Sequence, residues 1–158
     1  MSKIYWEDLV PGSVRQLGTV TPSREEILEF AQKFDPQPFH LSEEGGKASL
    51  FGGLCASGWH TCSMAMGLMV RNFLLNSSSL GSPGLENIKW LKPVHPGDTL
   101  RLEHEILESR PSKSKPDVGL TRTVWRMYNQ DGDQVLHMEG ASMFRRRHPA
   151  TDNPTPAS

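Results

Sequence analysis

The segment Asp35-Pro36-Gln37-Pro38-Phe39-His40 places a carboxylate and an imidazole five positions apart. With ordinary pKa values of about 3.9 and about 6.5, both groups are available as bases at neutral pH. Proline fixes its own φ, has no N–H and pushes its predecessor toward an extended conformation. Pro36 and Pro38 therefore predict a stiff loop rather than a helix, with little positional error in the pair it carries. Phe34 and Phe39 flank the pair, and burial beside them predicts a raised pKa for Asp35. Such a pair needs a substrate with an oxygen to polarise. Further along, Gly52-Gly53-Leu54-Cys55-Ala56-Ser57-Gly58 is a run of mostly small residues at the entrance to a long apolar segment. Its main-chain N–H groups are open to a ligand at the positive end of the helix that follows.

The elements that hold these residues follow from the pattern around them. Val14–Val20 reads as a short strand. Pro22 suits a first helical turn, and Ser23 with Glu26 has capping-box spacing. Ile27, Leu28, Ala31 and Phe34 then recur at helical intervals, which predicts an amphipathic helix over 22–34 that delivers Asp35 at its C-terminal end. Ser42 to Leu50 reads as a further short helical turn. From Trp59 to Leu75 the sole charged residue is Arg71, and this predicts a helix buried on nearly every side. After Asn76-Ser77-Ser78-Ser79 the period changes. Leu85–Lys92 reads as a strand closed by Pro93, followed by a Pro96-Gly97-Asp98 turn. Leu100, Leu102, His104 and Ile106 alternate with charged residues, the mark of a half-exposed strand. The stretch from Arg110 to Asp117 is a polar loop, and Leu120–Tyr128 and Gln134–Arg145 are strands joined across Asp131-Gly132. The order is one strand, helices, one long helix, then about four antiparallel strands. That is an α+β arrangement, a curved antiparallel sheet wrapped around the long helix.

The whole chain sets bounds on function. Its 158 residues suit one domain, read as residues 1–147 with a disordered tail over 148–158. A formal net charge of −1 supplies no basic field for nucleic acid. No apolar run reaches the roughly 20 residues of a membrane span, and no secretory signal opens the chain. Cys55 and Cys62 are the only cysteines. They read as reduced thiols in a cytoplasmic protein.

Three segments, Phe34–His40, Gly52–Gly58 and Trp90-Leu91-Lys92-Pro93-Val94-His95-Pro96-Gly97-Asp98-Thr99-Leu100, together resemble the MaoC-like dehydratases, which include the (R)-specific enoyl-CoA hydratases. The resemblance spans roughly residues 10–147. Asp35, Pro38 and His40 fit the family signature, while Gln37 stands where asparagine is usual and Ser42 where an aspartate often follows the histidine. The resemblance implies a hotdog fold and no cofactor. It implies that Asp35 and His40 hold one water, which adds to the β-carbon of a trans-2-enoyl-CoA thioester while a proton reaches the α-carbon. Gly58 matches the oxyanion-hole glycine, its main-chain N–H at a helix start facing the enolate oxygen. Gly53, Ser57 and Trp59 are candidates for substrate contact. A homodimer or a dimer of dimers, with the acyl tunnel at the subunit interface, is implied as well, and pairing would cover an open sheet edge.

Other readings of the same residues compete. A hotdog thioesterase would bind the same acyl-CoA but hydrolyse it, and a non-catalytic acyl-CoA-binding protein would have no use for a stiff acid–base pair. Cys55 and Cys62 beside His60 invite a thiol nucleophile, yet cysteine is among the most commonly buried residues. Ser57 lacks a nucleophile elbow, because Cys55 occupies the place of its first glycine. His95, His104 and His137 show no metal-ligand spacing and read as structural. Met64, Met66 and Met69 read as core, with an acyl-pocket lining as the alternative. Arg145-Arg146-Arg147 reads as a solvated strand end.

Overall fold

The computed structural model describes residues 2–150. Strand β1 (Val14–Val20) leads into helix α1 (Arg24–Phe34), whose start is fixed by a reciprocal cap. The Ser23 hydroxyl accepts from the Glu26 N–H at 3.1 Å, and the Glu26 carboxylate accepts from the Ser23 N–H at 3.0 Å. Ile27 and Ala31 are buried on the inner face of α1, but Phe34 is exposed and leans on Phe30 with ring centroids 5.1 Å apart. Asp35 is the C-cap, its N–H bonded to the Ala31 carbonyl at 2.9 Å.

The sequence predicts loop throughout the proline-rich stretch, and the structure corrects this. Pro38–Leu41 makes one helical turn, α2, with Pro38 at its start. A proline fits there because its φ is already helical and the first turn leaves its N–H positions without partners anyway. A third short helix, α3 (Glu43–Lys47), is capped by Ser42, whose hydroxyl accepts from the Gly45 N–H at 2.9 Å.

The long helix α4 spans Gly58–Asn72. It buries His60, Thr61, Ala65, Leu68 and Met69, while Trp59 and Met66 are exposed. Burial on nearly every side is therefore corrected to burial of one face. The apolar outer residues line a chamber, described below, instead of packed core.

Strands β2 (Ser79–Trp90), β3 (Leu100–Pro111), β4 (Val118–Tyr128) and β5 (Gln134–Arg145) complete one five-stranded antiparallel sheet in the order β1-β3-β4-β5-β2. Leu100, Leu102 and Ile106 from β3, Met127 from β4 and Leu136 from β5 form the core with Ala65, Leu68 and Met69 of α4. A mixed α+β hotdog, a sheet around a central helix, is the result. Strand β2 begins well before the expected Leu85. Its early half carries Gly81 and Gly84 at positive φ together with Pro83, and its register on β5 slips three times. Proline and glycine break a central strand but are tolerated at an edge, where β2 lies. Of the expected tail, residues 151–158 lie outside the described residues, and the His148 and Ala150 N–H groups are bonded to Glu7 and Pro116.

Candidate active site

The end of α1, the turn α2 and the entrance to α4 converge on one cleft of about 460 Å³. Asp35, Gln37, Phe39 and His40 line one side, Cys55, Ala56, Gly58, Trp59 and Thr61 another, and Trp90–Val94 a third. All three segments singled out in the sequence meet here.

Asp35 and His40 face each other, with His40 Nε2 3.3 Å from Asp35 Oδ2. Each is held from behind. Asp35 Oδ1 accepts from the Gln37 amide at 2.7 Å, and Oδ2 accepts from the Ser57 hydroxyl at 2.8 Å. His40 is buried, and its Nδ1 lies 2.7 Å from the Cys55 carbonyl oxygen. A carbonyl only accepts, so Nδ1 carries the hydrogen, and Nε2 is the atom free to exchange a proton in the cleft. The Cys55 N–H in turn donates to the Phe39 carbonyl at 3.1 Å, which ties the histidine's support back to α2. With Nε2 unprotonated, a carboxylate oxygen and an imidazole nitrogen, both acceptors, stand where one water can donate to each. Such an arrangement can activate a water and return its proton elsewhere.

Desolvation, the largest influence on Asp35, raises its pKa. Hydrogen bonds from Gln37 and Ser57 and the charge of His40 together outweigh it, leaving the carboxyl below its ordinary value of 3.8. The predicted upward shift is thus reversed, because Phe34 points into solvent and three polar neighbours stabilise the anion. Burial first, and Asp35 second, push the Cys55 thiol up to about 11. At that value it stays protonated at neutral pH, and burial raises the Cys62 thiol as well, so both speak against a thiol nucleophile.

Gly58 opens α4, and its N–H has no partner among the described residues. Its carbonyl accepts from the Trp90 indole N–H at 2.9 Å. A Cβ at Gly58 would lie 2.5 Å from Trp90 Cε2, so this glycine gives room to a tryptophan as well as to a ligand. The Trp90 contact has no signal in the sequence beyond the segment that contains it. Ser57, expected against the substrate, is fully buried behind Asp35 and also caps α4, accepting from the Trp59 N–H at 3.3 Å. Trp59 does line the cleft, edge-on to Trp90 with centroids 5.2 Å apart. Gly53 is buried away from the cleft lining, where a Cβ would come 2.8 Å from Glu43 Oε1. Among the described residues no cluster of histidine, cysteine or acidic side chains is placed to hold a metal, and no helix is long and apolar enough to cross a membrane.

Residues 10–126 match the MaoC like domain. The chain belongs to the MaoC-like family. A MaoC-like dehydratase from Rhodospirillum rubrum has a solved structure that superposes with a TM-score of 0.84 at 37% identity, covering 92% of this chain and 99% of that one. An uncharacterized Bacillus subtilis protein, YdeM, is 26% identical over 140 residues, 89% of this chain and 98% of its own length. The mesaconyl-CoA hydratase of Cereibacter sphaeroides is 33% identical over 96 residues, 59% of this chain and 26% of that enzyme. Asp35, His40 and Gly58 all fall within the matched residues.

Proposed function

We propose that the protein catalyses the reversible hydration of a trans-2-enoyl-CoA to a 3-hydroxyacyl-CoA. The observation that carries this reading is the pairing of Asp35 Oδ2 with His40 Nε2 at 3.3 Å on the wall of one cleft, both side chains anchored through their remaining polar atoms. A water bound between them loses a proton to the pair as its oxygen forms a bond to the β-carbon. The electron pair displaced from the double bond moves onto the thioester oxygen. Collapse of that enolate takes a proton at the α-carbon, and dehydration runs the same steps in reverse. The unpartnered Gly58 N–H, at the positive end of α4, is the donor for the enolate oxygen. Similarity to a hydratase of an enoyl thioester supports the reading.

Purified protein with crotonyl-CoA gives the test. Hydration removes the enoyl-thioester absorbance and releases no free thiol, whereas thiol release at the same rate would make the protein a thioesterase. Binding without either change, across enoyl chain lengths, would make it a binding protein.

Two copies of the chain complete the proposal. Strand β2 is an open edge of the sheet, and Leu80, Leu85 and Trp90 along it are exposed. Pairing two such edges satisfies their backbone groups and covers apolar surface beside the cleft. Light scattering is expected to give a dimer or a dimer of dimers. A fully active species at the 17.6 kDa of a monomer would contradict it.

A further inference from the structure

A second cavity, of about 520 Å³, lies between the outer face of α4 and the sheet. Trp59 lines it as well as the catalytic cleft, so one indole separates the two spaces. Its walls are mostly apolar and include Met66, Met69, Phe73, Trp125, Met138 and Phe144. Its floor departs from that pattern. His104 of β3, Thr123 of β4 and Ser142 of β5 also line it, and His104 Nδ1 has no hydrogen-bond partner among the described residues.

His104 is 1% exposed, and its Nδ1 is buried with nothing to bond. On the same face of β4 as Thr123, Thr121, the pairing partner of Ser142, buries a hydroxyl that has no partner among the described residues. An unsatisfied buried polar group costs on the order of 1–3 kcal/mol. An imidazole and hydroxyls in a row, where leucine or valine would pack, are hard to account for as core alone. Burial, followed by the charge of Arg15, pushes the His104 pKa down to about 4. The ring is therefore neutral at pH 7, offering one donor and one acceptor and no charge.

We propose that this chamber receives the acyl tail of the substrate and selects a tail that carries an uncharged oxygen function, a hydroxyl or a carbonyl, which bonds to His104 and Thr123. The inference rests on the enoyl-CoA reading of the adjacent cleft. A plain alkyl tail would leave the floor unsatisfied. A terminal carboxylate would have to be buried beside a neutral imidazole with no cation in the lining itself, since Arg15, whose charge reaches His104, lies over Phe73 and does not line the chamber. A site built to bond a substrate hydroxyl discriminates against the analogue that lacks it more strongly than an apolar pocket discriminates by size.

Three saturated, unreactive probes test this without turnover: hexanoyl-CoA, ω-hydroxyhexanoyl-CoA and adipoyl-CoA, titrated against the full chain by calorimetry. The ω-hydroxy probe is expected to bind at least about tenfold more tightly than hexanoyl-CoA, with adipoyl-CoA the weakest. In His104→Phe and, separately, Thr123→Val, both checked for native circular dichroism, the preference for the hydroxyl is expected to shrink or reverse. Equal affinities of hexanoyl and ω-hydroxyhexanoyl-CoA in the wild type would overturn the inference and leave the enoyl-CoA reading standing. So would tightest binding of adipoyl-CoA, or an unchanged preference in both variants. If no probe binds at all, the acyl-thioester reading itself fails.

Discussion

The two cavities that share Trp59 are built on opposite rules. In the cleft of Asp35 and His40 both of these polar side chains are engaged. Asp35 takes Gln37 on one oxygen and Ser57 on the other, and His40 gives its Nδ1 hydrogen to the Cys55 carbonyl, leaving Nε2 and the remaining acceptor capacity of Oδ2 facing each other. In the chamber His104 Nδ1 has no partner among the described residues, with Thr123 and Ser142 on the same floor. The first arrangement fixes geometry before a ligand arrives, as proton transfer within one water's reach demands. The second leaves hydrogen-bonding capacity open, which serves to recognise a ligand and does nothing for positioning. On the proposed reading, chemistry and selection are divided between two neighbouring spaces.

If the division is right, damage to the cleft should cost rate, and damage to the chamber should change preference or stability instead. The largest expected effect is on the pair. Asp35→Asn and His40→Ala should each lower kcat/KM by about 10²–10⁴-fold, measured by enoyl-thioester absorbance. Near-normal rates in either would remove the pair from the mechanism. Next is Gly58. Any side chain there meets Trp90, so the comparison belongs in a Trp90→Ala background that makes room. There, Gly58→Pro, which deletes the N–H, is expected to have a kcat on the order of 10²–10³-fold below Gly58→Ala. Equal kcat values would place the enolate donor elsewhere.

A smaller and more diagnostic effect is expected of Ser57→Ala. Losing the Ser57 hydrogen bond removes one of the influences that hold the Asp35 pKa down. The Asp35 carboxyl, followed by carbon-13 NMR, should therefore titrate at a higher pH in the variant than in the wild type. A structural role alone would lower stability without moving that titration. In the wild type, the depressed pKa of Asp35 means that its contribution to stability is complete above its unfolded value. That contribution is lost as pH falls through the folded one. The smallest effect is on the chamber side. His104→Phe replaces an unsatisfied imidazole by an apolar ring beside Phe73 and should leave the denaturation midpoint unchanged or raise stability by about 1 kcal/mol. A loss of several kcal/mol would show the imidazole to be a structural member of the core.

Much of this layout was legible in the sequence because it is local. The capping box at Ser23, the end of α1 at Asp35, the hairpin strand β5 and the order of elements each follow from short-range patterns of residue type. What escaped depends on neighbours distant along the chain. The Asp35 shift turns on Ser57 from another element and on the solvent exposure of Phe34, which sequence periodicity assigned to the core. The reach of β2 to Ser79 is hidden because Gly81, Pro83 and Gly84 deny strand locally and are allowed only by its place at the edge. His104 alternates with Leu102 and Ile106 as any core residue would, and only the cavity over it shows that it has no partner.

The central claim is that Asp35 and His40 act as one unit on one water. The most direct test is kcat/KM for crotonyl-CoA hydration in the wild type, Asp35→Asn, His40→Ala and the double variant. Residues that share a single step lose its benefit once, so the double variant should be little slower than the slower single one. Losses that multiply, the double falling by the product of the two, would mean that the residues act independently and would contradict the account.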